Sequence, residues 1–150
     1  MANRDYTSRR MAIVNALVTK FKGINGNTPY RTNLYNNVQN RLLFWDEVQD
    51  FPSVHVSAGA ETRDYQGGGY KDRFMTLTLR VYVQDDDALS ELEVLFEDIE
   101  TVIEDNSRLL YVDRDNNNQY TQQITIISIS SDEGALTPLG VGEVICEVRY

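Results

Sequence analysis

Residues 74–83, Phe-Met-Thr-Leu-Thr-Leu-Arg-Val-Tyr-Val, place an aliphatic side chain at every second position. Met75, Leu77, Leu79, Val81 and Val83 point one way, and Thr76, Thr78, Arg80 and Tyr82 the other. Successive side chains of a strand leave opposite faces, so this run dictates a long strand with one buried face. Asp85-Asp86-Asp87 stops it, because Asp disfavours strands and adjacent carboxylates repel unless solvated. The period then changes. Leu89, Leu92, Phe96, Ile99 and Ile103 recur in steps of three and four, the stripe of an amphipathic helix that runs to about Asp105. Asp87 is a candidate N-cap for it. A strand, an acidic turn and a helix that need one core constrain what the remaining residues can build.

The flanking segments fit around that unit. Thr7 or Ser8 serves as an N-cap, and Met11 to Lys22 reads as a first helix burying Met11, Val14, Leu17, Val18 and Phe21. Leu34–Val38 is a short strand candidate. The cluster Leu42–Trp45 leads into a short helical turn, with Trp45 expected at the core edge. Val54, Val56 and Ala58 predict a strand of about six residues starting near Pro52. Gly59 to Asp72, with Gly67, Gly68 and Gly69 between Tyr65 and Tyr70, reads as a long flexible hairpin loop. Leu109–Val112 is a short strand, Asp113–Gln119 a polar turn, and the isoleucine-rich Tyr120–Ser131 an inner strand. Glu143–Tyr150 alternates again and is expected to pair antiparallel with residues 124–130. The order predicts a single α+β domain: a mainly antiparallel sheet with two helices on one face.

Charge divides unevenly. Residues 1–80 hold eleven Lys/Arg against seven Asp/Glu, whereas residues 81–150 hold three against sixteen. A formal net charge of -9 disfavours nonspecific attraction to nucleic acid. Val81–Ser107 contains ten acids and no base. A solvated helix face explains such a run; so does a dipolar subunit whose basic side meets the acidic side of a neighbour. Arg4, Arg9 and Arg10 precede or open the first helix, where the dipole gives a cation nothing, so a partner is expected for them. No apolar run approaches eighteen residues and no apolar signal region follows the first charges, so the chain is read as soluble, without membrane contact and not exported by the usual route.

The residues do not assemble a chemistry. Cys146 is the one cysteine and reads as a buried small hydrophobe. His55, the one histidine, lies on the strand face opposite the core and reads as structural or surface. Together they do not make a zinc site. Asp113, Asp115 and Asn117 have calcium-loop spacing, but Asn118 and Ile124 stand where such a loop needs Gly and Glu. The three glycines precede a strand, not a helix, and do not form a phosphate loop. Asp85–Asp87 with Tyr82 is the remaining enzyme-like grouping, and an exposed turn does not split carboxylate pKa values. No cofactor, metal or catalytic residue is expected.

The order of segments nonetheless has a precedent. Phe51-Pro-Ser-Val-His-Val-Ser-Ala-Gly59, the alternating Leu77–Val83, the acidic turn, Leu92–Glu100, Ile126–Ser130, Asp132-Glu-Gly134, Pro138-Leu-Gly140 and Glu147-Val-Arg-Tyr150 together resemble the tail terminator (tail completion) proteins of long-tailed bacteriophages. The resemblance implies a structural virion protein at the head-proximal end of the tail, assembled in the host cytoplasm. It implies a homo-oligomeric ring of six that caps the tube, stops its polymerisation and presents a surface to the neck or connector. DNA then passes the lumen without specific binding. On this reading Arg4, Arg9 and Arg10, the Tyr65–Tyr70 loop and Asp85, Asp86 and Asp87 are the candidate ring contacts. A neck or head–tail connector adaptor is the alternative role, and a tail-assembly chaperone a third.

Overall fold

A computed structural model describes residues 8–150 apart from 35 and 45. Arg4, Thr7 and Trp45 therefore lie outside the described residues. The elements run α1 (Arg9–Phe21), β1 (Val38–Gln39), β2 (Ser53–Tyr65), β3 (Lys71–Gln84), α2 (Ala88–Asp105), β4 (Leu110–Val112), β5 (Asn118–Tyr120), β6 (Gln123–Ser131) and β7 (Leu139–Arg149). Five strands form one sheet in the order β1-β2-β3-β7-β6, and β4 and β5 form a separate hairpin. Every ladder is antiparallel except that of β1 with β2. Both helices bury their apolar stripes with the sheet in one continuous core. The expected class, an α+β sheet with two helices on one face, is the fold observed.

β3 is the centre of it. Met75, Leu77, Leu79 and Val81 are fully buried, and the strand is laddered to β2 on one side and β7 on the other. α2 lies over β3 and β7 because β7 has glycines beneath it. A Cβ on Gly142 would come within 2.4 Å of Phe96 Cζ, and one on Gly140 within 2.6 Å of Val83 Cγ2. Asp87 caps α2 as the sequence predicts, accepting from the Ser90 N–H at 3.4 Å. Ser8 caps α1 through the Met11 N–H.

Several expectations need correction. Residues 59–72 are not a flexible loop. β2 and β3 pair past Ala58 through a register shift and continue to Tyr65 opposite Lys71, leaving only a tight turn at Gly67–Gly69. Gly68 and Gly69 adopt φ of +78° and +84°, which is why glycine suits that turn. The irregularity between Ala58 and Glu61 hid the strand, because it breaks the two-residue period. β6 is an edge strand, not an inner one, and leaves Ile127 58% and Ile129 44% exposed. Met11 and Leu89 lie outside the helix stripes, and Ile13 takes the buried place at the start of α1. Among the described residues of 34–38, Val38 alone enters a strand, although Leu34 is buried. Part of the polar turn after β4 is the strand β5.

Candidate assembly surfaces

The sheet separates the predicted contact residues into two ends. β3 leaves the Tyr65–Tyr70 turn at Lys71 and reaches Asp85 after Gln84. Thirteen strand steps put those ends roughly 40 Å apart. Arg9 and Arg10 sit at the hairpin end, and Asp85, Asp86 and Asp87 at the other. The structure thus sets the two arginines at the base of the β2–β3 hairpin, the glycine turn at its far tip and the aspartates at the other end of the sheet.

Arg9 and Arg10 are engaged within the chain. Arg9 Nη2 donates to Tyr111 Oη at 2.8 Å, and its guanidinium lies 5.3 Å from the Tyr150 ring centre. Arg73 faces the same Tyr150 ring at 5.5 Å. Cation–ring attraction therefore helps hold α1 to the last strand. Arg10 donates to Met75 Sδ and to the Gly59 carbonyl, and lies 3.8 Å from Glu61. The Glu61 side chain also accepts from Tyr150 Oη and from Arg63 Nε at 2.7 Å. Burial pushes its carboxyl up, but the bonds from Tyr150 and Arg63 and the Arg10 charge outweigh this and hold it below the usual range. Burial and the Glu61 bond push the Tyr150 phenol up to about 12.

Beyond that base the hairpin projects. The β3–β7 side closes with reciprocal backbone bonds between Arg73 and Tyr150, whereas β2 and β3 continue through Asp64–Asp72 and Tyr65–Lys71. Tyr65 and Tyr70 are 69% and 76% exposed at its tip. Lys71 Nζ lies 5.7 Å from the Tyr65 ring centre. At the opposite end Asp85 accepts from the Asp87 N–H at 2.9 Å, so the turn uses its own carboxylates.

Nothing in this arrangement gathers reactive groups. Tyr82 is buried and its hydroxyl donates to the Leu43 carbonyl at 2.7 Å, away from the aspartates. His55 does lie on the face opposite the helices, but it is buried there rather than exposed. Its Nδ1 is 3.2 Å from the Arg41 carbonyl, and its ring meets Tyr82 edge-on at 5.5 Å. Burial lowers its pKa. Burial likewise pushes the Cys146 thiol up to about 12, which leaves it unreactive. Asp113 Oδ1 accepts from the Asp115 and Asn117 N–H groups, so it closes a turn. Among the described residues no group of three or more His, Cys, Asp and Glu side chains converges, and no helix is long and apolar enough to cross a membrane.

Two features escaped the sequence reading. Asp98 is buried on the inner side of α2, where its carboxylate accepts from the Arg31 and Thr32 N–H groups and from Thr32 Oγ1. Its spacing from Leu95 and Val102 was the available signal, an acid set on an apolar stripe. The second is a groove of about 360 Å³ between α2 and β6, floored by Val94, Phe96 and Ile129 and rimmed by Glu93, Glu97 and Glu100. It arises only when β6 is placed at the edge.

Among the described residues, a strand at the edge of the sheet and a projecting arm suit a part of an assembly. The family model described as Bacteriophage Tail Tube Terminator Protein matches residues 7–150. The chain belongs to that family. The tail tube terminator protein p142 of Escherichia phage T5 is 36% identical over 149 residues, covering 94% of this chain and 92% of that protein. A chain from the virion of a native gene transfer agent particle shares the fold, with a TM-score of 0.60 at 10% identity over 93% of this chain and 94% of that one. The tail terminator is thus a structural component of a phage tail, as the segment order implied.

Proposed function

We propose that the tail terminator forms a closed ring of six copies on the head-proximal end of the tail tube, ends tube polymerisation and offers the joining surface for the neck or connector. The observation that carries this reading is the match to a tail tube terminator over nearly the whole of both chains. Physical features support it. A single core without a reactive centre suits a part that positions others. Two sheet edges on one subunit suit a head-to-tail contact, which closes into a ring when the rotation per copy permits. The Asp85–Asp87 turn, at the end of the sheet away from the hairpin, serves contacts outside the ring. Arg9 and Arg10 contribute by holding α1 to the base of that hairpin. A net-negative subunit repeated around a lumen lets DNA pass without specific binding. Assembly takes place in the host cytoplasm.

Tube subunits polymerised with and without the protein test this. A terminator stops elongation and appears by electron microscopy as a cap on one tube end in the absence of heads. A protein that leaves tube length unchanged and binds instead to a portal-associated ring is a connector adaptor, and overturns the proposal.

A further inference from the structure

β6 is an unfinished edge. Between Gln123 and Ser131 it has no charged residue and no proline, two of the devices by which sheet edges avoid unwanted pairing. Its one irregularity is the register shift between Ile126 and Ser128. Ser107 Oγ accepts from the Ile124 N–H. Beyond that point, among the described residues, no other element hydrogen-bonds the outer side of the strand. Among the described residues, the outer edge of β2 is laddered only at Val54 and His55, by β1, and Arg10 donates to the Gly59 carbonyl farther along.

The helix-side flanks of these two edges carry opposite charge. Ile129 is paired with the buried Val144, so it faces the helices, and the acids Glu93, Glu97 and Glu100 of α2 rim the groove over it. On the β2–β3 arm, Glu61 is paired with the buried Met75 and so faces the same side. Counting by twos, Arg63 and Tyr65 follow it on β2, and their partners Arg73 and Lys71 lie beside them. One edge therefore has an acidic rim and the other a basic stripe, on the same face of one sheet.

We infer that the β6 edge and its acidic α2 rim receive the β2–β3 arm of a second copy of this chain, which continues the sheet from subunit to subunit. Extending a sheet keeps the helices of both copies on one side, so Glu93, Glu97 and Glu100 of one copy meet Arg63, Lys71 and Arg73 of the next. Main-chain bonds supply the attraction, Ile129 fills the contact, and the charges set direction and register. This inference rests on the ring reading and names the contact that builds it.

Paired charge reversal tests it. One variant carries Glu93→Lys with Glu100→Lys, and the other Arg63→Glu with Lys71→Glu. Each variant alone has like charges on both sides of every contact. Native mass spectrometry should then show monomer as the main species where the wild type shows rings, with circular dichroism confirming that both variants fold. In an equimolar mixture every reversed rim finds a reversed arm, and every native rim a native arm. Rings should reappear with the two variants in equal numbers, a rescue that a folding defect cannot produce. Variants that assemble alone as the wild type does, or folded variants that stay monomeric when mixed, overturn the contact while leaving the ring intact. A wild-type chain that remains monomeric even on tail tubes overturns the ring itself.

Discussion

β3 and β6 lie one strand apart in the same sheet, and both alternate aliphatic with polar side chains. In β3 the inward residues are sealed, with Met75, Leu77, Leu79 and Val81 at 0% exposure. In β6 only Ile124 comes close to that, while Ile129 faces the same side and stays half exposed. The difference is neighbours. β3 has a strand on each side; β6 has a strand, β7, on one side only, and among the described residues its outer edge beyond Ile124 has no strand beside it. A similar pattern thus serves the core in one strand and remains available in the other. Aliphatic surface at an uncovered sheet edge is a template for pairing with another chain, the use the proposed contact makes of it.

The contrast can be broken most directly by truncation. Leu79→Ala should cost about 2–5 kcal/mol in urea unfolding, because the sealed site cannot collapse around the void. Gly142→Ala should cost about 1–3 kcal/mol by the same measurement. The added methyl has no room beneath Phe96, so α2 must lift from β7. Asp98→Ala should cost a similar or smaller amount, about 1–3 kcal/mol, since it strands the Arg31 and Thr32 donors that pin α2 to the preceding segment.

His55 sharpens the comparison on the other face of the sheet. Its pKa is lowered below the ordinary 6.5 by burial, so the unfolded chain binds the proton more readily than the folded one. The stability it permits is complete above about pH 6.5 and is lost as pH falls from there through the lowered folded value. The melting temperature should drop over that range, and His55→Gln should flatten the drop. The smallest effect is expected at the open edge: Ile129→Ala should change monomer stability by less than about 1 kcal/mol. A loss as large as that of Leu79→Ala would mean that β6 is sealed within the monomer.

The same two strands explain what was legible in the sequence. Residues 74–83 and the stripe of α2 announce themselves because each keeps one period and buries one side. Asp87 as a cap was readable for the same reason, through the break between the two periods. Alternation reveals which face of a strand is buried, but not how many strands flank it, so β6 was read as internal. The β2–β3 arm was missed because the bulge before Glu61 shifts the period and its outer half meets little core. The contacts of Arg9 with Tyr111 and Tyr150 join residues about a hundred or more positions apart, a pairing that spacing along the chain does not encode. The family was legible because segment order survives where individual motifs are weak.

Hydrogen–deuterium exchange across β6, compared between the dissociated chain and the assembled ring, tests the central claim most directly. The account predicts that the outward-pointing amides of residues 125–131, those not bonded to β7, exchange quickly in the single chain and become protected in the ring, while those of β3 are protected in both. Equal exchange of the β6 amides in the two states would contradict it.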